Sequence, residues 1–213
     1  MKVTIPTTLK EMTVEQFMKY VKLTKLDGLN EDGLMVGTVA IFCNLSTSEV
    51  LAFPMADLKE TYETITKVLE EKPEFLTVWN GLGFIPNLNN LTTAEFIDLD
   101  LYFHDPENYH RAMAVMYRPI VNQKGNEYTI SEYKGTEATA EERLKMPLDL
   151  FLGAQLFFWT LSRDLQQSMI GSLECLTPQR AELEIALMRN GVGFPQYIQS
   201  LKDSVKILNG YIN

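Results

Sequence analysis

The sequence predicts a mainly α-helical fold: a multi-helix bundle with one small β-hairpin and one protruding loop. Apolar residues recur at helical spacing through most of the 213 residues. Two predicted helices begin at a capping box, and one pair of short apolar runs flanks an Asn-Gly dipeptide. We therefore expect a single mostly helical domain over residues 1–213, with weak substructure at 1–73 and 74–213.

The first predicted helix covers Val14–Lys25 and follows a short strand at Val3–Ile5. Thr13 and Gln16 have the spacing of a capping box, in which each side chain bonds the other residue's backbone amide. Three further helices are expected before the hairpin: at 32–44, in a short piece after Ser46, and from Pro54 to about Glu71.

The hairpin is predicted at Phe75–Ile85, because Asn80-Gly81 lies there between two apolar runs. Val3–Ile5 could lie beside it. The helix after the hairpin begins at Thr92, which forms a second capping box with Glu95. Both boxes follow an Ile-Pro pair. A duplication explains this weak repeat, and so does the ordinary way in which strands lead into helices.

The second half of the chain contains a predicted helix at 107–117, a polar segment and a long helix. The segment Gln123–Thr139 contains glycine, and Tyr128–Ile130 within it could form a strand, which indicates a protruding hairpin or loop. Since few of its residues are apolar, we expect deletion of residues 122–138, with a short Gly-Ser bridge, to leave the fold intact.

The longest predicted helix is opened by Pro147 and continues to about Glu174. Apolar side chains cover most of its circumference, which indicates burial on all sides. It is therefore either a central core helix or a helix with one side against a neighbouring subunit. Two more helices are expected, one from Thr177 and one over Phe194–Leu208.

Charge and composition exclude several classes of protein. A net charge of −9 argues against a protein that coats phosphate backbones, which requires clustered lysine and arginine, and against binding to anionic membranes. The two longest apolar runs fall short of the roughly 20 residues that span a bilayer. Two cysteines, Cys43 and Cys175, are no disulfide framework, and Cys43 in its apolar run is expected to be buried. We expect a cytoplasmic, reducing site of synthesis.

The only histidines, His104 and His110, lie in a stretch rich in carboxylates. Asp100 and His104 are four residues apart and could face one metal ion from one helical turn. Asp105-Pro106, however, breaks the helix before His110, so a solvated acidic face with an N-cap at Asp105 explains the pattern better. No nucleophile, phosphate-loop or dinucleotide motif occurs. We predict no catalytic, cofactor-binding or metal-ligating residues, and no enzymatic activity.

Six stretches between residues 83 and 165 have a shared likeness to one group of proteins. They are Gly83–Leu88, Leu91-Thr92, Glu95–Asp100, His110–Pro119, Tyr133–Thr136 and Met146–Asp149. In them the chain resembles virion structure and assembly proteins of tailed phages of Bacteroidetes, including crAss-like phages. The resemblance does not fix the component and supplies no catalytic residues.

The resemblance implies a phage structural protein, a ring-forming subunit of the connector, neck or tail. Such a protein would assemble as a homo-oligomer with other virion proteins, and DNA would pass it without specific binding. It would be made in the host cytoplasm and reside in the virion. The alternative is a tail assembly chaperone, which would act during morphogenesis without remaining in the particle.

Overall fold

The computed structural model describes residues 3–86 and 91–175, and it confirms a mainly α-helical chain with some β-structure. These residues form eight α-helices and one four-stranded antiparallel sheet. The chain divides into two compact units, Met1–Ala154 and Gln155–Asn213. The helices predicted from Thr177 and over Phe194–Leu208 lie outside the described residues.

Most element bounds fall within a few residues of those predicted. The helices are α1 (Val14–Thr24), α2 (Glu31–Phe42), α3 (Thr47–Leu51), α4 (Met55–Leu69), α5 (Thr93–His104), α6 (Tyr109–Met116), α7 (Ala140–Arg143) and α8 (Leu148–Cys175). The strands are β1 (Val78–Trp79), β2 (Leu82–Phe84), β3 (Tyr117–Lys124) and β4 (Glu127–Ile130). Short 3-10 turns precede α1 and α6, at Leu9–Glu11 and Pro106–Asn108.

Both predicted capping boxes are present, and they explain where α1 and α5 begin. In each box the threonine hydroxyl accepts the backbone N–H three residues later, and the side chain there accepts the threonine N–H. A third box, Ser46 with Glu49, starts α3. These pairs satisfy helix amides that have no partner within the helix.

Gln16 also joins the start of α1 to the end of α2. Its side-chain oxygen accepts the Thr13 N–H at 2.9 Å, while its amide nitrogen donates to the Ile41 and Phe42 carbonyls at 3.1 and 3.3 Å. The same nitrogen lies 3.3 Å from the side-chain oxygen of Asn44, a residue in the left-handed region at φ 54°. Gln16 is buried. One side chain therefore caps two helix ends.

The predicted hairpin is confirmed. Val78 pairs with Gly83, and Asn80 and Gly81 form the turn with φ of 46° and 76°. Positive φ at both central residues is the requirement of a type I′ turn. The strand expected at Val3–Ile5 was wrong, since no strand forms there and the free edge of β2 pairs with β3 instead.

The helix predicted at 107–117 gives way to a strand earlier than expected. α6 ends at Met116, and Tyr117 already lies in β3 opposite Phe84. Pro119 disfavours helical backbone in the residue before it, and its own missing N–H is tolerated in a strand position without a ladder bond. The strand predicted at Tyr128–Ile130 is confirmed within β4, whereas β3 was not predicted.

The core of the first unit includes the first turns of α8. Backbone bonds of 3.0 Å run from the Leu148 N–H to the Met12 carbonyl and from the Val14 N–H to the Met146 carbonyl. They tie the start of α8 to the start of α1. Leu148 and Phe151 are fully buried. α8 begins one residue after Pro147, and its segment 148–154 behaves as the predicted core helix.

Candidate functional site

The two histidines lie on different helices, His104 at the end of α5 and His110 on α6. The Nδ1 atom of His104 lies 2.6 Å from the Asp100 carbonyl oxygen and 3.8 Å from a carboxylate oxygen of Asp100, and both side chains are exposed. His110 lies on α6, where burial lowers its pKa. Within residues 3–86 and 91–175, no group of three His, Cys, Asp or Glu side chains is placed to hold a metal ion.

Cys43 occupies a buried position at the end of α2, as predicted, and its thiol is free. Burial raises the pKa of the thiol to about 11. The thiol therefore stays protonated at neutral pH, whereas the thiolate is the reactive form of cysteine. This residue behaves as a small apolar side chain of the core.

Among the described residues, helix α5 exposes several large apolar side chains. Phe96, Ile97 and Leu101 are 54%, 58% and 59% exposed, and we call these three residues the α5 outer face. Leu99 and Phe103 of the same helix are buried on the side opposite Ile97 and Leu101, and Phe96 lies at the border of that buried side. A helix that is hydrophobic on both sides is normally covered on both sides. Grouped exposed apolar residues of this kind mark interaction sites.

A buried ion pair fixes the start of α5 to the sheet. One carboxylate oxygen of Glu95 completes the capping box with Thr92, and the other accepts a hydrogen bond of 2.5 Å from Arg118 of β3. The two charged side chains are 5% and 11% exposed. Because both charges are largely removed from water, separating them would be costly. α5 is therefore held rigidly while its outer face remains exposed.

The segment 131–137 packs against α5 through aromatic and polar contacts. The Tyr133 hydroxyl donates to the carboxylate of Asp98, and the Arg118 guanidinium lies 5.7 Å from the centre of the Tyr133 ring. Burial, together with the hydrogen bond to Asp98, raises the pKa of Tyr133. Thr136 is buried, with its hydroxyl 3.5 Å from that of Tyr102. This part of the polar segment contributes more to the body than its composition indicated.

The remaining part of the polar segment is the tip of the β3–β4 hairpin. Residues 121–127 are all exposed, and we call them the hairpin arm. Its base is fixed by Tyr128, whose hydroxyl lies 3.0 Å from the Thr77 carbonyl and 2.8 Å from the Phe84 carbonyl. The Tyr128 ring lies against Gly83, where a Cβ atom would come within 2.4 Å of the ring. The base of the hairpin is therefore well packed, whereas the hairpin arm is exposed.

Comparisons with protein-family models, with curated proteins and with solved structures found no match for this chain. Among the described residues, no helix combines the length and hydrophobicity that crossing a membrane requires.

Sequence reasoning did not single out the α5 outer face, although a signal was present. Apolar residues lie on both sides of the predicted helix, as in a helix that is covered all round. The Glu95–Arg118 pair had no such signal, because the two residues are 23 positions apart and belong to different elements. Only the packing of α5 on the sheet reveals that contact.

Proposed function

We propose that this chain is a non-enzymatic structural protein of a phage virion, a ring-forming subunit of the connector, neck or tail. The resemblance to phage virion proteins supplies the setting. The single observation that carries a subunit-contact role is the α5 outer face, where a rigidly anchored helix presents three large apolar side chains to water. A neighbouring copy that covered them would gain the free energy of their burial.

The free energy gained by burying the α5 outer face is large enough to contribute to an interface but too small to form one alone. Full burial of a large apolar side chain contributes about 1.5–3 kcal/mol, and these side chains are already partly covered. Permanent interfaces bury about 2,000 Å² or more, so α5 alone does not make a ring contact. The hairpin arm adds reach, because its four β3 residues, Val121–Lys124, extend about 13 Å.

A ring forms when one surface of a subunit contacts a different surface of the next and the rotation closes. The α5 outer face and the hairpin arm are two such different surfaces. With a net charge of −9 per chain, the ring would let DNA pass without adhering to it. The subunit would be made in the host cytoplasm and have other virion proteins as its partners.

The test compares Leu101→Lys with Leu26→Lys. Leu26 follows α1 and is 58% exposed, so both substitutions place one charge at an equally exposed leucine. We expect Leu101→Lys to fold, as circular dichroism would show, but to be excluded from particles, while Leu26→Lys is incorporated normally. Light scattering after gel filtration would report any loss of oligomer. Equal incorporation of the two variants would remove α5 from the interface.

The α5 outer face also fits the alternative, a tail assembly chaperone that holds a partner chain transiently. Mass spectrometry of purified virions separates the two functions. A structural subunit is present in stoichiometric amounts. If the wild-type chain is absent from virions but co-purifies with a tail protein from infected cells, the chaperone replaces the structural subunit as the conclusion.

A further inference from the structure

A second surface of the first unit is a groove between the N-terminal segment and the corner where α3 meets α4. Its apolar residues include Val3, Ile5 and Phe53. Three carboxylates also line it: Glu49 of α3 and Asp57 and Glu60 of α4. We call this surface the α3–α4 groove. It is distinct from the α5 outer face and shares no residue with it.

Two helices supply the carboxylates of the groove. Asp57 and Glu60 are three residues apart on α4, so they lie on the same side of the helix. Glu49 is held in place by Ser46, whose N–H and hydroxyl donate to its carboxylate at 2.8 and 2.7 Å. Those hydrogen bonds lower the pKa of Glu49. None of the three carboxylates forms an ion pair with a described residue.

We propose that the α3–α4 groove binds a segment of a partner protein that presents apolar side chains flanked by lysine or arginine. The apolar residues of the groove match the apolar side chains, and the unpaired carboxylates match the cations. Lysine and arginine also cover apolar surface with their methylene stems while their charged ends reach a carboxylate. The inference goes beyond the proposed ring, since it assigns a partner that is not another copy.

Charge argues against a second copy as the occupant. A second copy of net charge −9 would meet three carboxylates at this surface, whereas the α5 outer face is apolar, so repulsion opposes a second copy at the groove and not at α5. A basic partner is instead attracted, with a dependence on salt that decreases the affinity as ionic strength rises.

The experiment uses a short synthetic peptide of leucine and lysine at helical spacing, labelled with fluorescein and titrated with the full chain. Fluorescence anisotropy reports binding. The variant is Ala52→Lys, which places a cation in the groove at an exposed residue with helical backbone. The matched control is Ala138→Lys, which changes the net charge equally at an exposed residue elsewhere.

We expect Ala52→Lys to weaken binding about fivefold or more and Ala138→Lys to weaken it less than about twofold, from the size of surface charge effects. A peptide with glutamate in place of lysine should not bind. The double variant Asp57→Asn, Glu60→Gln should weaken binding more than Glu63→Gln, Glu70→Gln, which changes one residue of the same helix and its C-cap residue. Equal effects of the groove and control variants would show non-specific attraction and overturn the proposal. Leu101→Lys should bind the peptide normally, which separates this test from that of the ring.

Discussion

Glu95 of α5 and Arg118 of β3 form an ion pair in which the carboxylate also closes a helix cap. One oxygen accepts the Arg118 guanidinium, and the other accepts the N–H and the hydroxyl of Thr92, both at 2.7 Å. The same side chain therefore determines where α5 begins and where it lies on the sheet. Loss of the cap and loss of the ion pair can be separated by substitution.

Glu95→Gln should destabilise the fold more than Thr92→Ala does. Glutamine keeps the shape and one acceptor, but it leaves the buried Arg118 charge without its counterion, which costs about 3–5 kcal/mol. Thr92→Ala removes only the cap, at about 1 kcal/mol, and Thr13→Ala at the start of α1 should match it. Urea unfolding measures all three. Equal losses for Glu95→Gln and Thr92→Ala would show that the ion pair contributes little.

Gly153→Ala should destabilise α8, although alanine normally stabilises a helix by about 1 kcal/mol relative to glycine. A Cβ atom at this position would lie 2.7 Å from the Glu74 carbonyl oxygen and 3.2 Å from the Phe75 Cα, both backbone atoms. Because backbone cannot move aside cheaply, we expect a net loss of about 1–3 kcal/mol. Thermal unfolding gives the comparison.

Gly37→Ala in α2 is the matched control for that substitution. Its Cβ atom would meet the Leu23 side chain at 2.5 Å. Leu23 is only half-buried and can change rotamer, so this variant should be near neutral or more stable. If Gly37→Ala lowered the melting temperature more than Gly153→Ala, our interpretation of both contacts would be contradicted.

Asp149 should make stability depend on pH. The residue is 3% exposed, its Oδ1 atom accepts the Leu150 N–H at 2.8 Å, and no described residue bonds its Oδ2 atom. Burial raises the pKa of this carboxyl. Glu74 adds a smaller effect in the same direction, and Lys10 has a smaller effect that lowers the pKa. The folded state thus binds the proton more tightly than the unfolded state, so this site favours folding as pH falls.

Asp149→Asn removes that titration. The free energy of unfolding of the variant, relative to that of wild type, should be most favourable near pH 7. This difference should decrease as the pH falls through the folded-state pKa of Asp149, because only the wild type gains stability by protonation. Urea midpoints of both proteins at about pH 7 and about pH 4.5 provide the measurement. A difference between the two proteins that does not change with pH would show that Asp149 does not titrate differently in the two states.

Deletion of Asn122–Ala138 should destabilise the subunit, contrary to the expectation from composition. The deletion removes Tyr128, Tyr133 and Thr136, which all contact the body. A smaller deletion of Lys124 and Glu127, which pair across the hairpin, should keep the wild-type melting temperature. This deletion shortens the hairpin arm without removing the contacts at its base. Incorporation of the shortened protein into particles therefore reports on the arm alone. A shortened arm that lowers the melting temperature as much as the long deletion would contradict this division.

Local signals in the sequence were sufficient for the helix starts and for the first hairpin. Thr13, Thr92 and Asn80-Gly81 each specify their structure through neighbours within four residues, so no tertiary information is needed. The strand expected at Val3–Ile5 depended on a distant partner. Strand β3 takes that edge of the sheet, and the sequence had predicted only its first residue, as the end of a helix, and its last two, as part of a polar segment.

The candidate surface was harder to predict for the same reason. Polar composition suggested that residues 122–138 stand away from the body, yet Tyr133 and Thr136 reach α5 through contacts 35 and 34 residues apart in sequence. Burial of a polar side chain depends on whether a partner is present, and sequence spacing alone does not supply that partner. The exposed side of α5 likewise became visible only when its buried side was known.

At most capping boxes, glutamine and glutamate are interchangeable, because the box asks only for an acceptor. At Gln16, however, glutamate is not an equivalent replacement. A glutamate there could still accept the Thr13 N–H. Its second carboxylate oxygen, however, would face the Ile41 and Phe42 carbonyl oxygens, which accept hydrogen bonds from the Gln16 amide, and the oxygens would repel each other. Spontaneous deamidation would make the same exchange in the finished protein. Loss of this one side-chain amide would weaken the start of α1 and the end of α2 at the same time.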